Sequence, residues 1–432
     1  VRLRASRLAW SVVVPLLSGA AALACSSSSA PATVPAADGG RDSGPARDAR
    51  APVDSRAADA RADRGGDAPA DAPGDARADA GCPLSPTCHA CLATDPANCG
   101  ACGNSCGAGG VCEEGACSRV LATGQGSAPG AVQDLIVDTG RVYWIPGAGA
   151  ASGGTVLAVP KAGGAVATLA TGISQPEGLA QDDANLYFVS HDVGVERVAK
   201  TGGSKALLLE DGTLDGGVFP EFWLVVASPN LYYVGGQGTG LYGLPLEGGG
   251  TPTPVAGASG LLGAPGTGYF AAAVDDTGIY YDTTSQIVTV DRATGLQVAT
   301  VPGSSPTAGF RFGPTLAVDA TSLYFISNTP ADGGTASSVM SAPKNGGAAK
   351  VIASGPVAFD DGPVAVDGTS VYWSHLADAA AGVGAVVAAP LAGGSVVTVA
   401  TGCTAHCAFA VDATSIYWAA ADGTIRAAPR AP

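Results

Sequence analysis

An all-β fold, a seven-bladed β-propeller, is what this sequence predicts, and three observations predict it. An aromatic pair recurs seven times, at Tyr143-Trp144, Tyr187-Phe188, Tyr232-Tyr233, Tyr280-Tyr281, Tyr324-Phe325, Tyr372-Trp373 and Tyr417-Trp418, at intervals of 44, 45, 48, 44, 48 and 45 residues. Each repeat divides into four short apolar runs, one about every ten residues, which is the rhythm of a four-stranded blade. The last repeat stops after its third run, at "GTIRAAPR", while an unattached fourth run, "SRVLATGQG" at 118–126, stands ahead of the first repeat and matches "VATLATG" at 166–172. A strand taken from the start of the repeat region therefore completes the seventh blade, and closing the ring removes an open sheet edge.

The elements of one repeat follow in order. Strand one is apolar and enters after Pro or Gly, as in "GPTLAVD" and "GPVAVD". A turn comes next, marked by an aspartate five residues before the first tyrosine: Asp138, Asp182, Asp275, Asp319, Asp367 and Asp412, with Ala227 in the third repeat. A threonine follows two residues later at Thr277, Thr321, Thr369 and Thr414. An aspartate here accepts hydrogen bonds from turn amides and sets the hairpin register. Strand two carries the aromatic pair. Strand three ends in "VPKAGG", "LPLEGG", "APKNGG" or "APLAGG", whose paired glycines permit the positive φ of a tight turn into strand four.

Composition agrees with many strands and tight turns. The chain has 63 Gly, 30 Pro and only 14% charged residues, an unpromising mixture for helical bundles. Its formal charge of −15 argues against a nucleic-acid partner, because nothing in it would neutralise phosphates.

Three segments precede the propeller. Residues 1–25 carry Arg2, Arg4 and Arg7, then an apolar run from Leu8 to Ala24 that contains Pro15 and is short for a membrane span. The run ends "ALAC", followed by "SSSS", and resembles a bacterial lipoprotein signal. That resemblance implies lipidation at Cys25 and, with Ser26 after it, an outer-membrane address outside the cytoplasm. Residues 26–81 hold 10 Asp and 7 Arg among Ala, Gly and Pro and no aromatic residue, the composition of a disordered tether. As flexible coil it would reach ~40 Å.

Residues 82–117 form a cysteine-rich module with Cys82, Cys88, Cys91, Cys99, Cys102, Cys106, Cys112 and Cys117. So short a stretch cannot bury a useful core and needs staples. Zinc is the alternative, since Cys88-x-x-Cys91 and Cys99-x-x-Cys102 have ligand spacing and His89 is near. With Cys25 reserved for lipid, however, ten cysteines remain, and an even number in an oxidising compartment points to disulfides. Cys403 and Cys407 read as a fifth, local bridge.

Residues 118–432 resemble the seven-bladed propellers of the NHL and YWTD-like groups, on the aromatic pair that follows Asp-x-Thr. That likeness implies a fold and no particular activity. The loops from strand four to strand one and from strand two to strand three are the long, variable ones, so function is expected on that face. "AGFRFG" places Phe310, Arg311 and Phe312 on such a loop, and "PEFW" adds Phe222; aromatics beside an arginine are frequent interface anchors. His191, His375, Glu177, Glu221, Asp360 and Asp361 are expected near the funnel rim. "QPEGLA" is similar to the Pro-Glu-Gly segment of gluconolactonase-type propellers, which implies metal at Glu177; those enzymes have six blades, and their Asn and Asp ligands have no counterpart here. The favoured reading is a non-enzymatic, monomeric binding protein for a protein, peptide or glycan, without a resident cofactor. The alternative is a hydrolase or lyase with a divalent cation in the funnel.

Overall fold

The computed structural model describes residue 85 and residues 94–99, 102–103, 105–106, 109–113, 115–124, 132–146, 154–190, 193–210, 224–235, 240–255, 272–282, 286–302, 315–331, 334–355, 362–378, 383–404 and 407–430. Among them every regular element is a strand, and the strands make seven sheets. Blade one is Val132–Val137, Arg141–Pro146, Gly154–Pro160 and Ala167–Ile173, each antiparallel to the one before. Blades two to six repeat this meander: Glu177–Gln181 to Ala206–Glu210, Leu224–Ala227 to Thr253–Pro254, Ala272–Val274 to Gln297–Pro302, Leu316–Val318 to Lys350–Gly355, and Val364–Val366 to Val397–Thr404. First strands neighbour first strands all the way round, with Val132–Val137 between Glu177–Gln181 and Phe409–Val411. The ring is closed.

Blade seven combines Phe409–Val411, Ser415–Ala419 and Ile425–Pro429 with Ala116–Ala122 from the other end of the described chain. The closing strand thus lies two residues ahead of the expected start and ends short of residue 126. The reason is its partner's length: Ala122 already faces Ile425, where that strand begins. A fifth strand, Gly110–Glu113, pairs outside it and belongs to no repeat. Disulfides join Cys99 to Cys112 and Cys106 to Cys117 in this region, and Cys403, on the last strand of blade six, to Cys407 in the connection entering blade seven. Cys102 is also disulfide-bonded. The signal segment with Cys25, the tether, and Cys82, Cys88 and Cys91 lie outside the described residues.

The aromatic pair explains why the blades pack as a ring. Successive residues of a strand point to opposite faces, so each pair serves two interfaces. Tyr143 packs with blade two beside Leu179 and Val198, whereas Trp144 packs with blade seven beside Leu121 and Tyr417. The same division holds in every blade, giving seven apolar clusters, one for each interface. Trp144, Trp373, Tyr187 and Tyr372 are wholly buried, each side chain contributing about 1.5–3 kcal/mol by removal from water.

The turn aspartates do more than hold turns. Asp138 Oδ1 accepts from the Gly140 and Arg141 amides at 2.8 Å each, while Oδ2 accepts from the Tyr143 hydroxyl at 2.8 Å. The tyrosine–aspartate bond recurs at Tyr187–Asp182 (2.5 Å), Tyr324–Asp319 (2.7 Å), Tyr372–Asp367 (2.6 Å) and Tyr417–Asp412 (2.9 Å), and more loosely at Tyr280–Asp275 (3.3 Å). Thr277, Thr321, Thr369 and Thr414 each donate a hydroxyl to their own aspartate. The residue after strand three then reaches back to the previous blade. Lys200 pairs with Asp138 at 3.0 Å, Lys161 with Asp412 at 2.6 Å, Lys344 with Asp275, and Arg430 with Asp367. Three of these lysines also lie over the ring of the partner aspartate's own tyrosine, at 5.5–5.6 Å from its centre.

Blade three, which has Ala227 in place of the aspartate, receives Arg292 instead, donating to the carbonyls of Ala227 (2.6 Å) and Ser228. In blades three and six the equivalent position after strand three holds a leucine, Leu246 and Leu391, so the aspartates of the preceding blades, Asp182 and Asp319, meet no cation from that position. The paired glycines take the left-handed φ expected of them, +82° at Gly163 and +127° at Gly164.

Candidate functional site

Antiparallel meanders put all the Asp turns and Gly-Gly hairpins at one end of the ring and the longer connections at the other. Most of those longer connections fall outside the described residues, and with them His191, Glu221, Phe222, Phe310, Arg311, Phe312, Asp360 and Asp361. Of the expected rim residues the structure describes Glu177 and His375. They stand in blades two and six, which are not neighbours in the ring.

Glu177 opens the first strand of blade two. A tight connection sets it there, with Gln175 at a φ of 38° and the Ser174 amide donating to the buried Ser190 hydroxyl at 3.2 Å. Glu177 Oε2 is buried with no hydrogen-bond partner, and burial pushes its carboxyl up to about 8. At neutral pH it is predominantly a neutral acid, able to donate a hydrogen bond. His375 is half-buried on strand two of blade six, in register with Ala385.

Beside Glu177 the structure adds two residues that the repeat pattern does not mark. Asp134, on the first strand of blade one, points into the interface with blade two, where it accepts the Leu179 amide at 2.7 Å and its neighbour's amide, Leu135 N, at 2.8 Å. Burial nevertheless raises its carboxyl to about 6. Gln181 donates through Nε2 to the Val137 carbonyl at 2.8 Å and leaves Oε1 without a partner. A polar residue inside an otherwise apolar first strand was the available signal: "VQDLIV" and "EGLAQ" each carry acidic or amide groups where "LAV" and "VAV" carry none. The interface between blades one and two thus adds Glu177, Asp134 and Gln181 to its apolar cluster.

At the entry to blade seven, Cys403 and Cys407 are wholly buried, and Cys403 forms a β-bridge with Ala420. Both are spent in a disulfide. Among the described residues, the one group of three Cys, His, Asp or Glu side chains close enough to share a metal is Cys99, Cys106 and Cys117, and these sulfurs are likewise bonded in disulfides.

No protein-family model matches the chain, nor does any curated protein. Solved structures similar to it include BamB from Moraxella catarrhalis, at 15% identity and a TM-score of 0.47, covering 75% of this chain and 94% of that one. Another is the WD40 β-propeller domain of Doa1, at 13% identity and a TM-score of 0.48, covering 73% of this chain and 97% of the other. A third is YCF48 bound to D1 peptide, at 13% identity and a TM-score of 0.46, covering 73% and 96%. The fold stated above rests on the strand pairing and not on these likenesses.

Proposed function

We propose that this chain is a lipid-anchored binding protein held outside the cytoplasm, whose propeller presents its long-loop end to an extracellular protein, peptide or glycan. The observation that carries this reading is the asymmetry of the ring. The turn end is made of short hairpins tied by repeated aspartate, tyrosine and lysine contacts. The other end collects connections that differ from blade to blade in length and composition, which is where a scaffold varies its contacts. Phe310, Arg311, Phe312 and Phe222 are the proposed anchors, with Glu177, Glu221, His191, His375 and Asp361 around the funnel. Cys25 is the proposed acylation site, and the NHL/YWTD-like grouping is the proposed kinship.

The test compares ligand capture by the intact chain with capture by a Phe310→Ala/Arg311→Ala/Phe312→Ala variant and by Asn345→Ala, which alters an exposed hairpin at the turn end. The loop variant is expected to lose about tenfold or more in affinity, with Asn345→Ala unchanged; equal capture by all three would sink the reading. The metal-dependent alternative makes a separate demand. Purified protein would carry a stoichiometric divalent cation that Glu177→Gln removes.

A further inference from the structure

Two of the three described disulfides with both partners defined lie on the hairpin that closes the ring, and the third, Cys403–Cys407, ties the last strand of blade six to the connection entering blade seven. Blades one to six are continuous in the chain, so short turns bring their strands together. Blade seven alone must capture a strand from the opposite end of the repeat region, and closing so long a loop has an entropic cost that no hairpin bears. Cys99–Cys112 and Cys106–Cys117 staple the hairpin that supplies this strand, Gly110–Glu113 and Ala116–Ala122, to the loop before it. That loop is itself anchored by the Cys106 amide, which donates to the Pro96 carbonyl at 2.8 Å.

The staples differ in access. Cys99 is 0% and Cys112 4% exposed, and Cys403 and Cys407 are both at 0%. Cys106 and Cys117 are only half-buried, and they line a cleft of about 790 Å³ whose other walls are Ala427–Arg430 of blade seven and Val397–Val399 of blade six. The sulfurs of Cys99, Cys106 and Cys117 lie within 4.8 Å of one another.

We propose that these two bonds form a redox relay governing the seam of the ring, entered at Cys106–Cys117 and passed on to Cys99–Cys112. A dithiol reductant entering the cleft bonds to one of these half-buried sulfurs through its first thiolate. Its second thiolate then displaces that cysteine, so that the reductant is oxidised to its own disulfide. Two electrons and the protons of its two S–H groups leave Cys106 and Cys117 as thiols. One of these, as thiolate, attacks the Cys99 sulfur, forms a new S–S bond to it and expels Cys112 as a thiolate, which takes up the proton the attacker lost. A second dithiol resolves the new bond, giving four thiols for two equivalents of oxidised reductant. The closing strand is then held by its pairing with Ile425–Pro429 and by Arg119, which donates to the carbonyls of Lys161 at 2.5 Å and Ala162 at 3.1 Å.

Isotope-coded alkylation with peptide mass spectrometry, on the intact folded chain under graded dithiothreitol, reads each bond separately. Cys106 and Cys117 should be labelled first, Cys99 and Cys112 next, and Cys403 and Cys407 last. Amide exchange in Ala116–Ala122 and Ile425–Pro429 should rise about tenfold or more on reduction, with Asn185–Ser190 of blade two unchanged. In Cys106→Ser/Cys117→Ser the relay has no entry thiol, so Cys99–Cys112 should open about tenfold more slowly than in the parent. The proposal fails if that bond opens as fast or faster in the variant. It fails too if a buried bond opens before Cys106–Cys117, or if exchange rises evenly around the ring. Should the variant not fold, the labelling order and exchange map of the parent chain decide the matter alone.

Discussion

Asp134 and Asp138 stand four residues apart along the same edge of blade one, and their carboxyls are shifted in opposite directions. Asp134, inside the interface with blade two, is raised to about 6 because burial outweighs its two amide donors. Asp138, in the turn, also feels burial, but the Gly140 and Arg141 amides, the Tyr143 hydroxyl and Lys200 hold it down at about 2. Blade two repeats the contrast, with Glu177 raised to about 8 by burial and Asp182 lowered by Tyr187 and turn amides despite it. The balance between a carboxylate's depth and the number of donors aimed at it decides whether it is a strut or a proton store. The turn end is built from ionised struts. The funnel side of the first two blades holds carboxyls raised by burial, of which Glu177 is predominantly neutral at pH 7.

Acid should break this contrast most severely. Asp138 and Asp275 have folded values near 2, and Asp367 and Asp412 are held well below the carboxylate range. A depressed folded value contributes stability above the unfolded pKa of about 3.9 and loses it as pH falls through the folded one. The propeller is therefore expected to unfold cooperatively between about pH 4 and pH 2, as read by tryptophan fluorescence; a native spectrum at pH 2 would refute the strut role.

Removing a single strut gives the next largest effect. The side chain of Asp367 is 4% exposed and joins Tyr372, Thr369, the turn amides and Arg430 of blade seven. Asp367→Ala should cost about 2 kcal/mol in chemical denaturation, since it leaves the part-buried Tyr372 hydroxyl and Ser370 amide and the half-buried Arg430 without this partner. Asp182→Ala, where the position equivalent to Arg430 is Leu246, should cost about half of that. Equal losses would mean that the interblade cation adds nothing.

The raised carboxyls carry a smaller signature of opposite sign. A raised carboxyl contributes stability that is complete below its unfolded pKa and declines as pH rises through the folded value. Glu177→Gln should therefore flatten the melting temperature between about pH 4.5 and 8, and the variant should exceed the parent at the alkaline end. A parent curve that is already flat there would show Glu177 to be ionised. Smallest of all, Leu246→Lys supplies Asp182 with the cation it lacks among the described residues. Its aliphatic stem keeps most of the leucine's packing, for an expected gain of about 0.5 kcal/mol in the same denaturation assay.

The repeat made blade number, ring closure and the turn role of six aspartates legible, because each is a local pattern written several times. The cations were written there too, as Lys161, Lys344 and Arg430 after the proline that ends strand three, and Lys200 and Arg292 in the same place. Their purpose was not legible. Lys161 meets Asp412 across 251 residues, and no single repeat states that a residue in one unit serves the unit before it. The candidate site was less legible still. Glu177 was found through a likeness to another group of propellers, and Asp134 was passed over because an aspartate next to a strand's apolar face looks like surface until a neighbouring blade covers it.

Periodicity and turn chemistry thus settle from the amino-acid order how many blades there are and how each hairpin is held, since these depend on contacts within a few residues. Which carboxyl is ionised, which cation crosses to which blade and where the closing strand begins and ends are decided only in the folded ring. Each is a balance between desolvation and the donors or partners that arrive from another blade, and those neighbours exist only after the circle is complete.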